Sequence, residues 1–207
     1  MRSKAVYALS GTLKHSRRAL QIFGEEKGWA ILQRAMSGSV ISQFLVYVSN
    51  HRADSSLQVR RKTVFLVSSL LLATNPSSTP STSQNDYLHT APFPNDPPPD
   101  PEAQDTAQLT RSALADPSLT HTESKNTLLE TIVSELCSPT PHGPNGDGEP
   151  LYDPDLQENL ARCLANYIRV GGKLNDESKK RIRESVNFKL GGDGKLGLDQ
   201  EDLSLLL

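Results

Sequence analysis

Residues 59–72 read VRRKTVFLVSSLLL, which is a basic first turn followed by apolar side chains on nearly every side of a predicted helix. A helix that is apolar nearly all round is usually buried among other helices. The first ten residues, MRSKAVYALS, carry the same pattern Arg-x-Lys-[Ala/Thr]-Val-[Tyr/Phe] 58 positions earlier. Two copies of one helix predict a helical-repeat fold.

The segment between the two copies contains two further predicted helices and more residues than one repeat unit requires. Apolar spacing predicts helices over 4–13, 19–23 and 29–36. Three such helices make one armadillo-type unit, but these units repeat at roughly 40–47 residues, so the spacing here is too long. We assign the surplus to residues 40–53, of which residues 40–48 are neutral and rich in β-branched and aromatic residues. They are either an accidental insert, such as a retained intron, or a genuine extra helix or hairpin.

Composition divides the rest of the chain. Residues 74–126 contain 9 of the 14 prolines and few aromatic residues, which predicts a disordered linker. Helical patterns resume in residues 127–207, where segments begin near Thr127, Asp155, Asp176 and Asp199. We therefore predict an all-α, armadillo-like solenoid with repeats in 1–73 and 127–207, interrupted by a long linker.

Charge is distributed unevenly along the chain. The net charge is −2, but residues 1–62 carry 11 Lys and Arg against 3 acids, whereas residues 63–150 carry 2 against 11. The N-terminal part is expected to bind an acidic partner. Cys137 and Cys163 form no Cys-x-x-Cys pair, which fits a reducing cytosolic compartment. The longest apolar run is about half the length needed to cross a bilayer, so no membrane span is predicted.

The basic and apolar start of the chain superficially resembles a signal peptide or a mitochondrial presequence. The same string recurs inside the chain at Val59, where no targeting signal could act, so a repeat helix is the favoured interpretation. Because Met1 opens in the middle of a helical pattern, with no capping residue before it, we expect the chain to be N-terminally truncated.

Motifs for catalysis or metal binding are not recognisable in the sequence. Residues 192–198 hint at a calcium loop, but Lys189, Gly191 and Gln200 stand where oxygen-rich ligands are required. The five histidines are scattered, and neither a phosphate-binding loop nor a nucleophile elbow occurs. We expect no enzymatic activity, no metal and no cofactor.

Several segments together resemble one protein family. They are residues 4–10 (KAVYALS), 28–29 (GW), 59–66 (VRRKTVFL) and 138–144 (SPTPHGP). In this order they are similar to the fungal Fes-type nucleotide exchange factors, relatives of the mammalian heat-shock binding protein. The resemblance spans most of the predicted folded chain. It departs at the N-terminus, where the first helices of the family are missing, and at the surplus segment.

The resemblance implies a monomeric, cytosolic protein that binds the nucleotide-binding domain of a heat-shock-70 chaperone and promotes ADP release. The concave face of such a solenoid binds the chaperone, and the basic start of a repeat helix falls on that face. Arg60, Arg61 and Lys62 are therefore the expected partner-binding residues, with Arg2 and Lys4 at the matching place in the earlier copy. Cations at a helix N-terminus oppose the helix dipole, which also favours a role outside the helix.

Two other functions stay open. A generic armadillo adaptor for another acidic protein would have the same fold. Nucleic-acid binding through the basic N-terminal part would need aromatic side chains interleaved with cations on an open face. The aromatic residues of this part are instead spaced as core residues: Tyr7, Phe23, Trp29 and Phe65.

Overall fold

The computed structural model describes residues 2–14, 16–37, 53–72, 101–119, 126–139, 153–191, 198 and 200–207. For residues 2–5, 7, 53–56, 101–104 and 186–191 it describes the backbone only. Every regular element in these ranges is helical. The α-helices are α1 (Arg2–Lys14), α2 (Arg17–Glu25), α3 (Gly28–Ser37), α4 (Ala53–Leu72), α5 (Pro101–Ala115), α6 (Leu128–Cys137), α7 (Pro154–Arg169), α8 (Asp176–Gly191) and α9 (Gln200–Leu206). A short 3₁₀ helix, Pro117–Leu119, follows α5.

Two three-helix units stack on each other, helix against matching helix. In the first unit α2 packs on α5, α3 packs on α6, and α4 packs on α7 of the second unit. Helix α1 lies against the other side of α4, while α8 and α9 continue the stack on α6 and α7. This arrangement, in which each unit covers the apolar side of the next, defines a helical-repeat protein. The predicted all-α, armadillo-like fold is confirmed.

Helix α4 is the centre of the stack, as its sequence predicts. Its apolar residues are completely buried over two turns: Val64, Leu66, Val67, Leu70 and Leu71. The two helices that share a sequence pattern lie side by side, because Ser10 Oγ of α1 is 3.4 Å from Ser69 Oγ of α4. In the part of the chain that the structure describes, no helix is both long enough and apolar enough to span a membrane.

The predicted linker must be corrected over residues 101–119, because these residues form α5 and the 3₁₀ helix. Thr106, Thr110 and Leu114 of α5 are completely buried against the stack. Arg111 Nη1 donates a hydrogen bond of 2.8 Å to the carbonyl oxygen of Val170, at the end of α7. A cation at this position satisfies a terminal helix carbonyl and complements the helix dipole, so α5 is an integral element.

Other sequence predictions fall mainly outside the described residues. The surplus segment, 40–53, is described only at Ala53, the first residue of α4. The predicted linker is not described over 74–100 or 120–125, and neither are residues 192–197 of the segment that hints at a calcium loop. The boundary at residue 73 stays a prediction, whereas the boundary predicted at residue 127 is wrong, because α5 already belongs to the second unit.

Two helix starts differ by one or two residues from the predicted ones. Asp153, not Asp155, caps α7, since its Oδ1 accepts a 2.7 Å hydrogen bond from the backbone N–H of Leu156. Asn175, rather than Asp176, accepts the equivalent bond at α8. Pro154 is then the first residue of α7, where its missing N–H costs nothing.

Candidate functional site: the exposed side of helix α4

One side of α4 remains exposed although the rest of the helix is buried. Gln58, Phe65 and Leu72 are exposed, with Phe65 at 54% and Leu72 at 40% of full accessibility. Residues seven apart lie on the same side of an α-helix, two turns from each other. We call these three residues the α4 stripe. The expectation that Phe65 belongs to the core is wrong, because its ring lies on this side while Val64 and Leu66 face inward.

Polar contacts hold α4 on both sides of the stripe. Towards α1, Ser69 meets Ser10. Towards α7, Asn166 Nδ2 donates a buried hydrogen bond of 2.9 Å to Ser68 Oγ. The α4 stripe therefore runs along the middle of a surface built by α1, α4 and α7.

Arg61 is occupied by contacts with the start of α7. Its Nε donates a 3.1 Å hydrogen bond to Asp153 Oδ1, its Nη2 binds Asp153 Oδ2, and its Nη1 is 3.2 Å from Asp155 Oδ2. The hydrogen bond to Asp153 raises the pKa of the Arg61 guanidinium above its ordinary value. Because Asp153 also caps α7, one guanidinium fixes both the position of α4 and the first turn of its neighbour.

Arg60 faces the interior, which removes it from the predicted partner-binding residues. Its side chain is 5% exposed, and its Nη1 is 3.7 Å from Glu135 Oε2, itself buried in α6. Burial lowers the pKa of Arg60, and the nearby Glu135 carboxylate opposes that effect. A guanidinium in this position cannot contact another molecule while the stack stays folded. The local sequence gives no sign of this, since Glu135 is distant in the chain.

Lys62 is half-buried and borders the stripe on the side of α1. It lies seven residues before Ser69, so both side chains leave α4 in the same direction. Its role in partner binding stays a prediction. Arg2 and Lys4 belong to the first turn of α1, but their side chains lie outside the described residues. The structure thus places Lys62 beside the stripe, and Arg61 on the opposite edge.

Sequence reasoning missed Phe65 as a surface residue, although a signal for it exists. Gln58 is a polar residue seven positions before Phe65, and Leu72 ends the helix seven positions after it. A helix that is almost wholly buried reveals its exposed side only through such polar or terminal positions.

The chemistry available around α4 is that of binding. Among the described residues, no group of three or more His, Cys, Asp or Glu side chains is placed to hold a metal ion. Cys163 of α7 is buried, and burial raises its pKa to about 12, so its thiol is not activated as a nucleophile. The exposed features are an aromatic ring, a cation and paired charges, which suit a protein interface.

Three-helix units stacked in register, with an exposed stripe along the central helix, define an armadillo-like helical-repeat protein. Over 183 residues the chain is 30% identical to the Hsp70 nucleotide exchange factor FES1 of Mycosarcoma maydis. This match covers 81% of the chain but 42% of the relative, so the chain spans less than half of that relative's length. It confirms the resemblance to Fes-type exchange factors that the sequence motifs predicted.

No family model matches the chain. No solved structure matches it either.

Proposed function

We propose that this chain is a nucleotide exchange factor of a cytosolic heat-shock-70 chaperone, which it binds as a monomer. The observation that carries the proposal is its similarity, over 81% of its length, to a protein named as such a factor. The stacked helices and the exposed stripe support it, because they offer a continuous surface for a folded partner. The chain would contact the nucleotide-binding domain and favour the release of ADP.

The proposed mechanism is differential binding. A partner that binds the open nucleotide cleft more tightly than the closed one shifts the equilibrium by the ratio of the two affinities. A hundredfold preference corresponds to about 2.7 kcal/mol. The exchange factor needs no catalytic residue for this, since the nucleotide belongs to the chaperone. It needs a rigid surface, which is provided by the polar contacts that join α4 to α1 and to α7.

We place the contact on the surface formed by α1, α4 and α7. Lys62 is the basic residue of α4 that lies next to the stripe on the side of α1. Arg2 and Lys4 stay part of the proposal as the equivalent cations of α1. Arg61 would act indirectly, by holding α7 against α4.

The test is stopped-flow release of a fluorescent ADP analogue from a heat-shock-70 chaperone. We expect the chain to accelerate release and Lys62→Glu to reduce that acceleration by about tenfold or more, because a charge reversal opposes an acidic partner. Lys180→Glu, an exposed position on α8, is the matched control and should behave like the unmodified chain. If the unmodified chain gives no acceleration, the proposal fails and the generic adaptor becomes the better interpretation.

One observation favours nucleic-acid binding: Phe65 is exposed, and base stacking requires an exposed aromatic ring. The neighbouring charge argues against it. Arg61 is neutralised by Asp153 and Asp155, so the cations beside the ring do not form a continuous basic track.

A further inference from the structure

We infer that helix α9 controls the position of α4 through a chain of polar contacts that crosses α7, so that the docking of α9 regulates the surface built by α1, α4 and α7. The consequence for a partner rests on the proposed function. The coupling between the two helices does not, and it can be measured on the chain alone.

The chain of contacts joins four residues of three helices. Asp202 Oδ1 of α9 is 2.7 Å from Arg169 Nη2 of α7, and Arg169 Nη1 donates a 3.1 Å hydrogen bond to Asn166 Oδ1. Asn166 Nδ2 in turn donates a 2.9 Å hydrogen bond to Ser68 Oγ of α4. Because Arg169 and Asn166 are three residues apart, both side chains lie on one side of α7. The contacts therefore lead without a gap from α9 to the central helix.

Each contact fixes the orientation of the next one. A guanidinium only donates hydrogen bonds, so the Asn166 carboxamide must turn its oxygen towards Arg169 and its NH2 group towards Ser68. Asp202, Asn166 and Ser68 are buried, and a buried polar group that loses its partner is costly. The carboxylate that holds Arg169 therefore also favours the contact between Asn166 and Ser68. Arg169 is in this sense a positioning residue.

Helix α9 is the element of this chain of contacts that can open most readily. It has seven residues, Gln200–Leu206, and a helix of that length is not stable in isolation. Its docking depends on the buried Leu206, the partly buried Leu203 and the ion pair of Asp202. Short elements with few buried contacts open first in the native state. When α9 opens, Arg169 loses Asp202, and the path to α4 is interrupted at its first step.

Glu201 supplies the matched control. Its Oε1 is 3.4 Å from the same Arg169 Nη2, but its side chain is 76% exposed, against 8% for Asp202. Glu201→Ala and Asp202→Ala each remove one acid from the first turn of α9, so both change the interaction with the helix dipole in the same direction. Only Asp202→Ala should disturb the buried chain of contacts.

The experiment measures hydrogen exchange of side-chain amides in the full chain by NMR. Exchange at Asn166 Nδ2 is compared with exchange at Gln33 Nε2, a buried amide that α6 holds through Thr131, outside this chain of contacts. We expect Asp202→Ala to accelerate exchange at Asn166 about tenfold relative to Gln33, which corresponds to the loss of roughly one hydrogen bond. Glu201→Ala should leave the ratio within about twofold of its original value.

The same variants are then compared in the release of a fluorescent ADP analogue from a heat-shock-70 chaperone. Asp202→Ala should accelerate release about fivefold less than the unmodified chain, because a partner must then fix α4 at its own cost. Glu201→Ala should match the unmodified chain. Asp202→Asn keeps the size of the side chain and should act in the same direction, so it serves as the test if circular dichroism shows that Asp202→Ala is not folded.

The outcomes separate the inference from the proposed function. If the ratio of Asn166 to Gln33 exchange is unchanged in both Asp202 variants, α9 and α4 are not coupled, and the inference is overturned whether or not the chain accelerates release. If the ratio changes but the unmodified chain gives no acceleration, the proposed function is wrong and the coupling stands. If the ratio changes while the folded Asp202 variants accelerate release as the unmodified chain does, the regulation of the surface is overturned.

Discussion

Three consecutive cations of α4 have three different environments, because each step along an α-helix rotates the side chain by about 100°. Arg60 enters the core beside Glu135, Arg61 reaches across to α7, and Lys62 borders the exposed stripe. The same basic tripeptide therefore combines a buried ion pair, an interhelical clasp and a candidate partner contact. If all three residues were assigned to partner binding, the assignment would be wrong for Arg60 and Arg61, whose charges are paired within the stack.

The Arg61 clasp predicts a measurable loss of stability. Arg61→Ala removes two hydrogen bonds to Asp153 and the ion pair with Asp155, and leaves the buried carboxylate of Asp153 with less support. We expect a loss of about 1–2 kcal/mol in the free energy of unfolding, reduced by the partial exposure of the guanidinium. Urea denaturation gives this value. Arg162→Ala, which breaks an exposed pair with Glu158, should cost about 0.3–0.5 kcal/mol. Equal losses in the two variants would show that the clasp adds nothing to an ordinary surface pair.

The buried thiol of Cys163 predicts a dependence of stability on alkaline pH. Its pKa is raised by burial from 9.0 to about 12 in the folded chain. Between these values the unfolded chain binds fewer protons than the folded one, so the stabilisation present below pH 9 is lost as the pH rises. From pH 8 to pH 10 we expect the unfolding free energy to fall by about 1.4 kcal/mol more than it does in Cys163→Ala. The same fall in both proteins would place the thiol in contact with water.

At the scale of elements, the long apolar helices were predictable and α5 was not. Helices α4, α6 and α7 carry large aliphatic residues at helical spacing, and tertiary packing follows that spacing. Besides Leu114, helix α5 buries mostly small or polar residues, including Thr106, Ala107 and Thr110. Its apolar spacing is therefore weak, and the neighbouring prolines and acids made it resemble a linker. Pro101 at the start of the helix and the Ala, Gln and Leu residues within it were the available signals.

The integral role of α5 can be tested by a substitution in its core. Leu114 is completely buried, whereas Gln108 on the same helix is exposed. We expect Leu114→Ala to lower the unfolding free energy by about 2–5 kcal/mol, and Gln108→Ala to change it by less than about 0.5 kcal/mol. Guanidinium denaturation distinguishes them. A negligible cost for Leu114→Ala is the result expected of a linker and would contradict the packing described here.

The candidate site was predictable only in part, for a related reason. The sequence located the basic turn of α4, but the side that each residue faces depends on neighbouring helices. Glu135 and Asp153 are separated from the basic turn by long stretches of chain, so no local pattern announces that they neutralise Arg60 and Arg61. Phe65 was assigned to the core because it stands at core spacing in a helix that is apolar nearly all round. The Phe65 side chain is exposed because α1 and α7 pack on either side of α4 and leave this side of the helix uncovered.

At the scale of the molecule, stability should be highest in the middle of the stack. Helix α4 packs against both α1 and α7, and α7 packs in turn against α4 and α9. Native-state hydrogen exchange should therefore find the slowest amides in residues 63–71 and 160–166, with opening free energies near the global value. Helices α1 and α8, each covered on fewer sides, should exchange faster. Exchange in α4 as fast as in α8 would mean that the central helix opens independently of its neighbours.

Helical proteins usually fold quickly because most of their contacts join residues close in sequence. Here the contacts that hold α2, α3 and α4 to their counterparts join residues far apart: Arg17 to Asp105, Gln33 to Thr131, Arg61 to Asp153 and Ser68 to Asn166, 88 to 98 positions away. Before any of these contacts can form, the chain must close a loop of that length. The conformational entropy lost in this closure is offset only when the two three-helix units pack against each other. The second unit must therefore be synthesised before the first gains most of its stability. During translation, the apolar sides of α3 and α4 that pack on α6 and α7 remain uncovered until those two helices have been synthesised.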